Sequence, residues 1–211
     1  MQGTDMHHLL LHRLNEGLRS ASREPDALRQ SGYRNPKPDD ASSFNLPFGY
    51  EGTYWDYIAN VGQDGGDNFN QAMTAVTINN LDEIPKLYLF ASLDEDGGLI
   101  VDVCGGRGQF SREILIAHPR AGLRCVVQYK HALASENHRK SNNVYDNEPS
   151  DLVLTLQEHE FLFESSASQD IAAAACLFRH FFHDWPDQAC VEILRQIVTV
   201  MDERAKSNFD L

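Results

Sequence analysis

Leu99-Ile100-Val101-Asp102-Val103-Cys104-Gly105-Gly106-Arg107-Gly108 decides how this chain is read. A short apolar run broken by one carboxylate predicts a strand buried on both faces, and the glycines after it predict a tight turn. Phe110 to Ala117 then has helical spacing, with Phe110, Ile114 and Ala117 on one stripe and Pro119 as a stop. The alternation continues with a strand from Leu123 to Val127, a helix from Ala132 to Arg139 and a strand from Leu152 to Leu156. Ala173 to Phe178 is a fourth strand, because its place in the alternation outweighs the helical preference of its alanines. Pro186 and Asp187 open a last helix whose apolar face is Val191, Leu194, Val198 and Met201. Strands and helices in this order make an α/β fold, a Rossmann-like parallel sheet of about four strands covered on both sides.

Upstream the composition changes twice, which divides the chain into residues 1–43, 44–98 and 99–211. The first region carries one amphipathic pattern (Leu10, Leu14, Leu18) and a polar connector, Asn35-Pro36-Lys37-Pro38-Asp39-Asp40. The second has aromatics at helical spacing: Tyr54, Trp55, Ile58 and Val61, then Phe69, Met73 and Val76, then Ile84, Leu87 and Tyr88, with Gly65-Gly66 between the first two sets.

Composition removes several functions. No apolar run approaches the roughly 20 residues of a membrane helix. Leu9, Leu10 and Leu11 are flanked by His7, His8 and His12, too short and too polar for a secretory signal, so the cytoplasm is the expected location. Cys104, Cys125, Cys176 and Cys190 form no CxxC pair, so neither disulfides nor a structural zinc are expected. The formal net charge of -13 repels phosphate backbones, which disfavours a nucleic-acid partner.

Two segments carry chemistry. The glycine turn after the first strand lies at the carboxyl edge of the sheet, where small ligands bind and glycines let the backbone approach them. A dinucleotide fingerprint needs glycine at position 111, where Ser111 stands, so NAD is disfavoured and another nucleotide-like ligand is favoured. The second segment, His180-Phe181-Phe182-His183-Asp184-Trp185-Pro186-Asp187, follows the fourth strand and therefore lies on the same edge. There His183 can take a proton from a hydroxyl near neutral pH, oriented by Asp184 or Asp187. The bland alternative is a helix N-terminus whose acidic residues complement its dipole. A metal site from His180 and His183 lacks a third ligand spaced with them.

Together, Asp102 to Phe110 and Leu177 to Asp187 closely resemble the plant and fungal O-methyltransferase family that includes caffeic-acid and flavonoid methyltransferases. Ser31 to Pro36, Phe44 to Phe48 and Phe69 to Met73 share the resemblance. It implies a class I S-adenosylmethionine-dependent enzyme of secondary metabolism with His183 as the catalytic base. Its acceptor would be a small molecule with a phenolic or enolic hydroxyl. Asp102, Gly105, Gly106, Gly108, Gln128, Glu160 and Arg179 would line the cofactor, and Met73 and Trp55, with Tyr54 beside them, fall where helices cover the acceptor, with core packing the alternative role for each.

The chain also departs from the family. Cys104 replaces the first glycine of the turn. Gln128 is placed at the end of the second strand, where the family has a ribose-binding aspartate, and Tyr129-Lys130 replaces Leu-Pro. A neutral amide accepts through one oxygen only, so weaker cofactor binding is expected. Relative to the family the chain is expected to be truncated at both ends, without the dimerisation region and the last strands. The fourth strand would then be an open edge, favouring self-association or a covering partner, and an inactive binding module becomes the alternative function.

Overall fold

A computed structural model describes residues 3–34, 42–60, 65–78, 88–93, 97–119, 121–129, 153–158, 172–199 and 201. The expected connector at 35–40, the helix at 132–139, and Val61, Ile84 and Leu87 lie outside them. The described residues fall into two compact units, one up to Val76 and the other from Thr77 on.

The first unit is helical. Helix α1 (Gly3–Leu11) continues through a π-helical stretch, His12–Gly17, into α2 (Leu18–Ala21). Next come α3 (Glu24–Ser31), α4 (Asn45–Phe48), α5 (Tyr54–Asn60) and α6 (Gly65–Ile78), the last crossing the boundary between the units. Inside, Phe44 stacks on Phe48 and meets Tyr54 and Tyr57 edge-on. Glu16 accepts a 2.7 Å hydrogen bond from the Tyr54 hydroxyl and pairs at 2.7 Å with His12. Burial pushes the Glu16 carboxyl up, but these hydrogen bonds outweigh it and hold the group below its ordinary value. Leu10, Leu14 and Leu18 are 53%, 59% and 62% exposed, so this stripe does not face the unit's own core.

The second unit holds the sheet: β1 (Leu99–Val103), β2 (Arg124–Tyr129), β3 (Val153–Glu158) and β4 (Ala175–Phe178), all parallel in the order β3-β2-β1-β4. Alternation along β1 divides the core. Ile100 packs with Phe110, Ile114 and Leu115 of α7 (Gln109–Ala117) on one face. Val101 and Val103 pack with Phe181, Ile193, Ile197 and Met201 on the other, under α8 (Asp187–Val198).

Two helix faces differ from expectation. In α7 the buried stripe is Phe110, Ser111, Ile114 and Leu115, and Ala117 is exposed. In α8, Ile193 and Ile197 are buried in line with Met201, while Val191, Leu194 and Val198 are exposed. Both sets have helical spacing, and a helix on one sheet face can bury only one of them. Strand β4 ends the sheet order, and just before it Ala173 forms an isolated parallel bridge with Met201, which covers the expected edge at that one residue.

Candidate functional site at the carboxyl edge of the sheet

Strands β1 and β4 are adjacent, so their carboxyl ends deliver the glycine turn and the histidine turn to one edge. The first turn is built around Asp102, which is 1% exposed. Its carboxylate accepts a 2.6 Å hydrogen bond from the Ser111 hydroxyl, and any Cβ at Gly105 would land on that carboxylate. Glycine is therefore required at 105, and Asp102 lies beneath the turn instead of lining an open surface. Burial pushes Asp102 up to about 6, against the Ser111 hydrogen bond and the Arg179 charge, which hold it down. Gly108 caps α7 at φ 78°, and a Cβ there would sit 3.1 Å from Val127. Cys104 has φ 58°, a left-handed conformation that favours glycine, and packs against the core cluster under α8.

Arg179 follows β4. Its guanidinium lies 5.3 Å from the Phe110 ring centroid, and burial lowers its pKa while the Asp102 charge opposes that shift. Next comes a left-handed residue, His180, at φ 51°, then a single 3-10 turn, Phe182–Asp184, anchored by buried Phe181 and by Phe182 stacked on Phe178. Cys190 of α8 directs its thiol at the carbonyls of Trp185 and Phe182, at 3.5 and 3.6 Å. His183 is held outward, 65% exposed, with Nε2 at 3.2 Å from Asp184. Burial raises the Asp184 carboxyl above its ordinary value, and the charges of His183 and His180 moderate the rise.

Gln128 is not where the family pattern places it. On β2, Cys125 and Val127 face α7: the Cys125 thiol points at the Ser111 carbonyl and Val127 underlies Gly108. Successive strand residues alternate, so Gln128 faces the other side, in register with Val103. It is fully buried there, donating through Nε2 to Gln157 at 3.3 Å, and its Oε1 has no hydrogen-bond partner. Tyr129 returns to the face of Val127 and Asp102. Sequence reasoning misses it because the apolar run ends at Val127, two residues before the strand does, and Ser111 registers there only as a missing glycine. Glu160 lies outside the described residues. Met73, partly buried, and Trp55, edge-on to Phe69, belong to the helical unit. Among the described residues, no three His, Cys, Asp or Glu could hold a metal ion, and no helix is long and apolar enough to cross a membrane.

No family model matches the chain. The O-methyltransferase asqN of Emericella nidulans is 46% identical over 195 residues, 92% of this chain and 63% of that protein. The O-methyltransferase penK of Penicillium thymicola is likewise 46% identical over 195 residues, 92% of this chain and 43% of that protein. This chain therefore spans less than two thirds of either relative. Among solved structures, OxaC in complex with SAH and oxaline superposes with a TM-score of 0.77 at 20% identity, covering 95% of this chain and 49% of that one. That likeness shows the fold, a Rossmann-like methyltransferase sheet. Over the stretch it shares with the fungal relatives, the chain belongs to the O-methyltransferase family.

Proposed function

We propose that this chain binds S-adenosylmethionine and acts in O-methylation of a phenolic or enolic hydroxyl on a small secondary metabolite, in the cytoplasm. The observation that carries the proposal is the delivery of the glycine turn and the histidine turn by neighbouring strands to one edge of the sheet. The residues fit the cofactor, since Gly106 bares backbone toward open space, with nothing within 4 Å of where its Cβ would lie, and a buried carboxylate lies beneath the neighbouring Gly105. When bound, the cofactor supplies an electrophilic methyl group on a sulfonium.

Gly105, Gly106 and Gly108 would give it close backbone approach, with Asp102 acting from beneath and Arg179 beside it. Tyr129, on the same face of β2 as Val127, takes the nucleoside side in place of Gln128. His183 accepts the proton of the acceptor hydroxyl, and Asp184 at 3.2 Å orients the ring and stabilises the imidazolium that forms. Met73 and Trp55 are acceptor-contacting residues in this proposal, on the ground of the sequence resemblance. Association through β4, which ends the sheet, and through the exposed Val191, Leu194 and Val198 of α8 belongs to it too; light scattering after size-exclusion chromatography reads it. Titration calorimetry with S-adenosylmethionine and with NAD tests the cofactor assignment. Binding of the first alone is expected, and binding of NAD alone would overturn it.

A further inference from the structure

The buried cluster under the glycine turn is more elaborate than a bare strand-to-helix turn needs. Ser111 and Asp102 are 0% and 1% exposed, and their hydrogen bond of 2.6 Å joins the first turn of α7 to β1. Gly105 lies on the same carboxylate, so turn, strand and helix meet at one charged group. Among the described residues, the groups facing Asp102 are Ser111 from α7, Cys125 from β2 and Arg179 after β4. Cys125 contributes no charge, because burial and then the Asp102 carboxylate push its thiol up to about 12. The Arg179 guanidinium is only half-buried. The hydroxyl of Ser111 is therefore the close donor that favours the ionised carboxylate, as hydrogen bonds to a charged form do.

We propose that Ser111 is a positioning residue for the glycine turn, its hydroxyl fixing the buried Asp102 carboxylate beneath Gly105 so that the turn presents a negative charge to a cationic sulfonium ligand. The proposal rests on the methyltransferase reading for the identity of the ligand. It gives a physical role to the residue that breaks the dinucleotide fingerprint, because a glycine at 111 would leave the carboxylate without this donor. Alanine would do the same with little change in volume.

S-adenosylmethionine and S-adenosylhomocysteine differ by a methyl group and one positive charge, so the ratio of their affinities senses the charge behind the turn. Calorimetry between about pH 5 and about pH 8 should show that ratio rising in favour of the cation as Asp102 ionises, by on the order of five-fold for one screened charge. In Ser111→Ala the midpoint of the rise moves to higher pH, because the hydrogen bond that lowers the Asp102 pKa is gone. Ser111→Cys, near in size but a weaker donor, falls between the two. A role confined to packing would lower the unfolding midpoint and leave the pH profile in place. A second measurement needs no ligand: the carboxyl carbon of Asp102, assigned by its loss in Asp102→Asn, is followed by NMR through the same pH range. Its midpoint should also move up in Ser111→Ala. An unchanged carboxyl midpoint in that variant overturns the inference by itself. Failure of wild type to bind either nucleoside overturns the methyltransferase reading, while the carboxyl titration still judges the role of Ser111.

Discussion

The two turns at the carboxyl edge of the sheet are built in opposite ways. After β1, the charged group is sealed in: Asp102 is 1% exposed, hydrogen-bonded to Ser111 and covered by Gly105. After β4, the titratable group is held out: His183 is 65% exposed on a single 3-10 turn whose anchors are the rings beside it and the thiol of Cys190. A buried charge shapes a surface without touching the ligand, whereas a general base must reach the proton it removes. Stability and activity should therefore separate between the two turns.

The largest effect expected is on turnover. His183→Ala should lower methyl transfer by about 10²- to 10⁴-fold, the usual contribution of general base catalysis. Unfolding free energy should stay within about 0.5 kcal/mol of wild type, as for other exposed substitutions. Affinity for S-adenosylhomocysteine should also be unchanged. Turnover equal to wild type would remove His183 from the chemistry, and a large loss of stability would mean that its turn is no looser than the first.

Gln128 gives the next largest effect, on stability alone. Its amide is fully buried on the face away from the glycine turn, with Oε1 unpaired. Gln128→Asp puts a carboxylate in that place and should cost about 3 kcal/mol or more, or force the group to stay protonated. Gln128→Met should cost less than about 1 kcal/mol, because an unmatched acceptor is removed as the volume is kept. Tighter cofactor binding by Gln128→Asp would instead restore the side chain to the ligand's side of the sheet.

This residue also shows where sequence reading stops. The apolar run of β1, the glycines and the alternation of strands and helices were legible, because each follows from local composition. Which side of β2 Gln128 faces was not. A side chain changes face with every residue, so the assignment by family pattern was only as good as its register, and the strand itself ends two residues later than expected. Helix α8 fails differently. Val191, Leu194 and Val198 on one side and Ile193 and Ile197 on the other are both apolar stripes at helical spacing. Periodicity names both, and only the shape of the sheet below selects Ile193 and Ile197. Ser111 was hidden for a third reason: a hydroxyl nine positions from a carboxylate has no sequence signature as its partner.

Asp102 separates the turns by pH. Its folded pKa, raised from 3.8 to about 6, lies above the unfolded value, so between these values the folded state holds the proton more tightly. Stability is thus greatest below about pH 4 as far as this group is concerned, and falls as pH rises toward about 6, by roughly 3 kcal/mol in all. Asp102→Asn, which cannot ionise, should flatten this part of the profile measured by urea unfolding. A variant that keeps the full wild-type slope would assign it to another group.

The smallest effect tests the strain in the first turn. Cys104 has φ 58°, where a residue with a Cβ loses about 1 to 2 kcal/mol relative to its ordinary conformations. Its side chain also packs on the core cluster under α8, which offsets part of that cost. Cys104→Gly removes both strain and packing, and it frees the unfolded chain, so its net effect should be a gain of less than about 1 kcal/mol. Cys104→Ala keeps the strain and loses the packing, which should make it the least stable of the three. The order glycine, cysteine, alanine in urea midpoint follows from this balance. An alanine variant more stable than the glycine variant would show that the backbone at 104 is unstrained, and the first turn would then owe its shape to the Asp102 cluster alone.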